Sequence, residues 1–206
     1  MDSALIFQLL KKFLADSNNF FSYLCTMLKK DITELTRISL ADYRLLPKLP
    51  VCLIADNIRS AHNIGALLRT ADAFGIAALH LCGITPLPPH PDIHKTALGA
   101  ENSVEWHHWP TTLEAIDALR ADGWTICALE QAHTSIPLQL YSPEAGQKIA
   151  VIAGNEVDGV SEEALQRADH ILEIPQKGTK HSLNVSVSAS IALYQLAVIS
   201  PLIHKN

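Results

Sequence analysis

No run of 18 apolar residues occurs in this chain, so no membrane-spanning helix is expected. Cysteine is scarce: Cys25, Cys52, Cys82 and Cys127 stand singly without Cys-x-x-Cys spacing, which argues against zinc or dithiol chemistry and for buried small hydrophobes. The Gly-x-Gly-x-x-Gly turn after the first expected strand, the Walker A lysine loop and His-Glu-x-x-His are all missing, which disfavours an ordinary dinucleotide or NTP fold. Positive charge is also in deficit. With 16 Lys/Arg against 21 Asp/Glu, a net charge of −5 and a pI near 6.0 argue against blanket attraction to phosphate, and any nucleic-acid contact must come from a local basic patch. The deficit is uneven: residues 1–50 hold seven Lys/Arg against five Asp/Glu, residues 51–206 nine against sixteen. The start, acidic before its short apolar run and basic after it, is opposite to a signal peptide, and a cytoplasmic location is expected.

What is present is 48% hydrophobic over 206 residues, enough for one sizeable core plus an appendage. From Pro50 onward, apolar runs of strand length alternate with helix-period segments: Val51–Ala55, Ile64–Phe74, Ala77–Cys82, Leu113–Ala121, Trp124–Leu129, Ile149–Ala153, Glu162–Ala168, Ile171–Ile174 and Leu183–Ile199. This alternation predicts an α/β fold, a mostly parallel sheet flanked by helices. Asn63 is placed to N-cap the first helix and Gly75 to end it; Thr111 with Glu114 makes a capping box ahead of a stop at Gly123, and Ser161 precedes the acidic pair Glu162 and Glu163. Residues 1–46 read as a helical extension, with an apolar stripe at Leu5, Ile6, Leu9, Leu10, Phe13 and Leu14 and a second cluster over 20–28. Its lysine pairs, Lys11–Lys12 and Lys29–Lys30, could face RNA or form a solvated face. The proline-rich stretch Thr85–Pro91 reads as a stiff surface loop.

Three stretches plant short polar residues around glycine at the mouth of an apolar run: Asn57-Ile-Arg-Ser-Ala-His-Asn63-Ile-Gly65-Ala-Leu-Leu-Arg69, Ile152-Ala-Gly154-Asn155-Glu156-Val-Asp158-Gly159-Val-Ser161, and Ile174-Pro-Gln-Lys-Gly178-Thr-Lys-His-Ser182-Leu-Asn184-Val-Ser186. Polar groups are costly when buried without partners, so their density at element ends points to one composite polar site. In the first, Asn63 lies at a helix mouth and Arg69 about 9 Å further along the axis, with a side chain long enough to lean back toward the opening and share its pocket. The alternative is an N-cap and a surface arginine. In the second, Gly154 would let a ligand approach the backbone at the carboxyl end of a strand, and Glu156 is the acid at that mouth; a turn with a solvated glutamate is the alternative. In the third, Ser182 and Asn184 flank unpaired amides that suit an anion or a carbonyl, although Ser182 could be only a cap. His90 and His94 have ligand-like spacing, but prolines at 88, 89 and 91 make a helix face impossible and no further Cys or His sits nearby, so loop histidines and no metal site are expected. His107 and His108 read as half-exposed strand residues.

All three stretches, in this order, resemble the signature motifs of the SpoU (TrmH) branch of the SPOUT RNA methyltransferases. The resemblance spans roughly residues 49–199; Asn-Glu-x-x-Gly-Val-Ser followed by Ser-Leu-Asn-Val-Ser after an Ile-Pro loop is its most specific part. It implies a SpoU-type methyltransferase domain over 47–206, with a C-terminal trefoil knot as an exception to the usual absence of knots. It also implies a homodimer through the last helix and the mouth of the first, with which the stripe Leu183, Val187, Ile191, Tyr194 and Val198 beside small serines and alanine is compatible; an intrachain core would produce the same stripe. The cofactor implied is S-adenosyl-L-methionine, held largely by main-chain groups at Gly154, Ile174 and Leu183 with Leu129 and Glu130 nearby. The reaction implied is methyl transfer to a ribose 2′-OH of tRNA or rRNA, with Asn63, Arg69, Glu156, Ser182 and Asn184 on catalytic positions. Other SPOUT branches methylate ring nitrogens, and an inactive RNA-binding module is a further alternative. The Asn63/Arg69 motif points to ribose, and every expected polar position is occupied.

Overall fold

A computed structural model of the chain describes residues 38–199. The apolar stripe at 5–14, the cluster at 20–28, Cys25 and both lysine pairs lie outside the described residues. The described elements all belong to one compact unit that begins at Leu40. They are α1 (Leu40–Leu45), β1 (Leu49–Asp56), α2 (Ala61–Phe74), β2 (Ile76–Cys82), α3 (Pro91–Ala97), β3 (Trp106–Trp109), α4 (Thr112–Ala121), β4 (Thr125–Leu129), β5 (Ile136–Pro137), β6 (Ile149–Ala153), α5 (Glu162–Gln166), β7 (His170–Glu173) and α6 (Val185–Tyr194). The α6 helix runs on as a π-helical turn over Gln195–Ile199. Helix α1, which the sequence groups with the extension, belongs to this unit: Tyr43 Oη donates to the Asp72 carbonyl at 2.9 Å and Arg44 Nη2 to the Asn102 carbonyl at 2.7 Å.

All strand pairs are parallel, in the order β3-β2-β1-β6-β4-β7-β5. Successive strand residues point to opposite faces. Val51, Leu53 and Ala55 of β1 join the core under α2, α3 and α6, whereas Cys52 and Ile54 join the core under α4 and α5. Both faces are covered, which is why the central strands are continuous apolar runs rather than alternating ones. Cys52, Cys82 and Cys127 are buried and free, and burial pushes the Cys127 thiol up to about 11, so it stays neutral.

The helix boundaries follow their caps, with two corrections. Helix α2 is capped by Ser60, whose Oγ accepts from the Asn63 amide, and not by Asn63, which occupies the third helical position. Gly75 ends it in the left-handed region at φ 62°, as expected. Helix α6 is capped by Asn184, which accepts from the Ser186 amide, so Ser182 stands outside the helix and is no cap. The Thr111–Glu114 cap forms as expected. A short helix also starts at Pro91 with His90 as its cap, because proline is tolerated in a first turn where its missing N–H has no partner to lose. His94 therefore lies on a helix, contrary to expectation; among the described residues no group of three or more His, Cys, Asp or Glu could hold a metal.

Candidate active site

The central strands β1, β6, β4 and β7 end together on one side of the sheet, where open α/β sheets bind ligands. A cleft of about 270 Å³ opens there. Its walls are the end of β4, the turn after β6, the end of β7 and the segment leading into α6. Leu129, Glu130, Gly154, Ile174 and Leu183 all line it. Two of them act differently from expectation. A Cβ on Gly154 would stand 1.9 Å from the Gly159 carbonyl carbon and 2.1 Å from the Val160 nitrogen, so what approaches this glycine is the chain's own returning turn rather than a ligand. Glu130 turns its carboxylate onto the same turn: Oε2 accepts from the Val160 amide at 3.1 Å and Oε1 from the Gln131 amide at 2.8 Å. Gly159 sits at φ 72° with its missing Cβ 2.1 Å from Glu130 Oε2, a position open only to glycine.

Beside the cleft, a hydrogen-bonded chain joins the three sequence stretches. Glu156 accepts from the Arg59 and Ser60 amides at 3.1 Å each and from Asn63 Nδ2 at 2.8 Å. Asn184 Nδ2 donates to Asn63 Oδ1 at 3.2 Å, while Asn184 Oδ1 accepts from the Ser186 amide. Glu156 thus satisfies orphan amides at the start of α2 and meets the positive end of its dipole. Burial pushes its carboxyl up, but the Arg59 amide, the Asn63 side chain and the Ser60 amide more than offset this and hold it below the usual range. Because Ser60 takes the capping duty, the Asn63 side chain is released to bridge Glu156 and Asn184.

Ser182 lines the cleft two residues before the α6 cap Asn184. Arg69 does not share it. Six residues of helix carry a side chain about 240° round the axis from Asn63. Arg69 is exposed and lines a separate hollow of about 580 Å³ with Thr70, Lys95, Thr96 and Ser190. The expectation of a pocket shared by Asn63 and Arg69 of one chain is corrected accordingly. Gly65, between them, is explained by packing: a Cβ there would meet Thr96 Oγ1 at 2.0 Å and the Ile93 carbonyl at 2.4 Å, so α3 can cross α2 only over a glycine.

Several positioning groups escaped the sequence reading. Asp56 is 1% exposed at the end of β1 and accepts from Thr112 Oγ1 at 2.6 Å, Asn57 Nδ2 at 2.9 Å and the Ser161 amide at 2.8 Å, tying α4 and the Glu156 turn to the central strand. Asn155 Oδ1 accepts from the Val157 and Asp158 amides, both at 2.8 Å, and shapes the turn. Gln131 Nε2 donates to the His181 carbonyl at 2.8 Å and joins the loop after β4 to the loop before α6. An acid closing an otherwise apolar strand was the available signal for Asp56; nothing local distinguishes Gln131.

The sequence model of the SpoU rRNA Methylase family matches residues 50–194. The 23S rRNA (guanosine-2′-O-)-methyltransferase RlmB of Coxiella burnetii is 31% identical over 173 residues, covering 81% of this chain and 65% of its own length. The tRNA (guanosine(18)-2′-O)-methyltransferase of Thermus thermophilus is 36% identical over 155 residues, covering 74% of this chain and 75% of its own. Among solved structures, the AdoMet-bound rRNA methyltransferase from Sinorhizobium meliloti superposes with a TM-score of 0.68 at 25% identity, covering 74% of this chain and 58% of that one. The chain therefore spans just under two thirds of the Coxiella relative.

Proposed function

This chain belongs to the SpoU rRNA methylase family, and we propose that it is an S-adenosylmethionine-dependent RNA methyltransferase that modifies a ribose 2′-OH of tRNA or rRNA in the cytoplasm. The observation that carries this reading is the Asn184–Asn63–Glu156 chain lying beside a cleft lined by Leu129, Glu130, Gly154, Ile174 and Leu183. The cleft volume of about 270 Å³ lies just below the range of ligand sites, roughly 300–1,000 Å³. The residues fit the cofactor: strand-end backbone at Gly154 and Ile174 offers polar main-chain groups, and Leu129 and Leu183 offer apolar walls. When bound, S-adenosylmethionine supplies a methyl group already activated by its sulfonium.

The protein's own contribution is then alignment, which can supply several kcal/mol of a transfer barrier. Asn63 and Asn184 orient the ribose hydroxyl, Ser182 closes the cleft side, and Glu156 holds Asn63 at the mouth of α2. Arg69 is a guanidinium that resists deprotonation, with a pKa above about 12, so its role is to clamp the nucleotide's phosphate and ribose while the hydroxyl proton passes toward that phosphate.

We further propose a homodimer in which Arg69 of one copy serves the cleft of the other. Arg69 lies on a different face of α2 from Asn63 of its own chain, and α6 presents Val187, Ile191 and Tyr194 at 47%, 40% and 48% exposure, an apolar stripe that Leu183, 38% exposed, precedes in the segment leading into the helix. The Thr70–Ser190 hydroxyl pair at 2.9 Å fixes α6 against α2 and keeps stripe and arginine together. In this reading the unit that begins at Leu40 forms the catalytic domain, seven residues earlier than the expected start at 47, and the C-terminal segment threads a trefoil knot. The knot is supported by the chain's return from β7 to α6 on α2 and by the Gln131–His181 bond between two loops. Mapping 2′-O-methyl sites in RNA from cells with and without this protein tests the function: a site lost with the protein supports it, and an unchanged map counts against it.

A further inference from the structure

A second cavity, of about 830 Å³, lies between the α3 start and the β3 edge. It is lined by residues that the reaction does not use, among them the Pro89, His90 and Trp106 rings, Arg44 and Glu101. Glu101 is unusual: its side chain is only 10% exposed, Oε1 meets His94 Nδ1 at 2.5 Å, and Oε2 is buried without a hydrogen-bond partner. Leaving a buried acceptor unmade costs more than a bond contributes, so such an atom calls for a donor. The imidazole that meets Oε1 is itself 72% exposed and lines the same cavity as Glu101, so a ligand in the cavity competes with it for the carboxylate.

We propose that this cavity is a guanine-binding site, in which Glu101 accepts from the base's N1–H and N2–H donors in place of His94. Guanine is the nucleobase with two adjacent donors on its Watson–Crick edge, matching the two acceptors of one carboxylate; adenine and cytosine place an acceptor beside their amino donor, and uracil flanks its single donor with acceptors. The flat His90 and Trp106 rings suit stacking, which RNA-binding proteins use for unpaired bases, and Pro89 adds an apolar wall. Arg44, bonded to the Asn102 carbonyl through Nη2, brings positive charge for a phosphate to the rim. Glu105 opposes it there, 3.7 Å from His107 Nε2. The ring could belong to RNA or to a free nucleotide; its assignment to RNA rests on the reaction proposed above, but base recognition does not.

The test is a titration of the full chain with GMP and AMP at saturating S-adenosylmethionine, read by tryptophan fluorescence with Trp106→Phe as the signal control. GMP is expected to bind at least tenfold more tightly than AMP, and Glu101→Gln to abolish the preference. His94→Ala, a change at an exposed side chain, is expected to tighten GMP severalfold and covers the case in which Glu101→Gln fails to fold. Equal affinities for the two nucleotides, or a preference that survives Glu101→Gln and ignores His94→Ala, would overturn the proposal. So would arginine binding where GMP does not, which would assign the cavity to a peptide. Single-stranded oligonucleotides differing by one guanine for adenine distinguish the sources: tighter binding than GMP assigns the site to RNA, equal binding to the free nucleotide. Methyl transfer is not the readout, so failure here leaves the proposed reaction standing.

Discussion

Replacing Glu156 by glutamine should leave the fold intact and slow methyl transfer by a factor of about 5–30. The carboxylate collects three donors, the Arg59 and Ser60 amides and Asn63 Nδ2, at 2.8–3.1 Å. A glutamine keeps one acceptor oxygen and turns an NH₂ donor toward groups that are donors themselves. Charge-assisted bonds contribute roughly 1.5–3 kcal/mol each when shielded from water. Glu156 is exposed, so solvent screening reduces the total to about 1–2 kcal/mol, which is where the expected factor comes from. The loss should fall on the transfer step rather than on cofactor affinity, because Asn63 and Asn184 lose their anchor while the cleft walls keep theirs. Single-turnover rates at saturating RNA, with cofactor affinity by calorimetry, separate the two. A linked signature exists in stability. Glu156 has a depressed carboxyl, so its contribution is present above its ordinary value of 4.5 and lost as pH falls below it. The thermal midpoints of wild type and variant should therefore converge on acidification below that value. A glutamine variant with wild-type single-turnover rates would refute the anchoring role.

Gly154→Ala should destabilise the fold by about 1–3 kcal/mol or more, since the added methyl meets rigid backbone rather than a flexible side chain; an unchanged denaturant midpoint would contradict this. His80, 5% exposed and accepting from Trp109 Nε1 at 2.9 Å, has its pKa lowered by burial, with help from neighbouring His107, to about 4. A depressed histidine favours the folded state when neutral, so stability should fall as pH drops from 6.5 toward 4, by up to roughly 3 kcal/mol, and His80→Gln should flatten that slope in melts across the range. Val187→Glu with Ile191→Glu should give a monomer of about 22.5 kDa by light scattering, with methyl transfer lost. Mixing that variant with Arg69→Ala, itself expected to be at least about a hundredfold slower, should not restore activity, because the charged stripe blocks pairing.

The sheet was legible because both its faces are covered: Ile149–Ala153 is apolar at every position, and its ends coincide with those of the strand. The Ser60/Asn63 choice was not. Either residue type caps a helix; Ser60 takes that duty, and the partner that then holds the Asn63 side chain is Glu156, 93 residues away. Gly154 illustrates the same limit, for its smallness is visible in sequence while the backbone that requires it, at Gly159 and Val160, meets it only in the folded turn. Ser182 and Asn184 are both short polar residues before one apolar run, and only backbone geometry selects Asn184 as the cap. The direction of Arg69 was available in principle, since helical spacing alone turns it away from Asn63. Asp56 could also have been suspected, because an acid closing a buried strand needs partners, but not which ones.

The most direct measurement is incubation of the purified chain with methyl-labelled S-adenosylmethionine and separate tRNA and rRNA pools, followed by digestion to nucleosides and mass spectrometry. The account predicts label in a 2′-O-methylated nucleoside from one of the pools, and loss of that label in Arg69→Ala. Label on a base nitrogen, or no transfer to either pool by a folded protein, would contradict it.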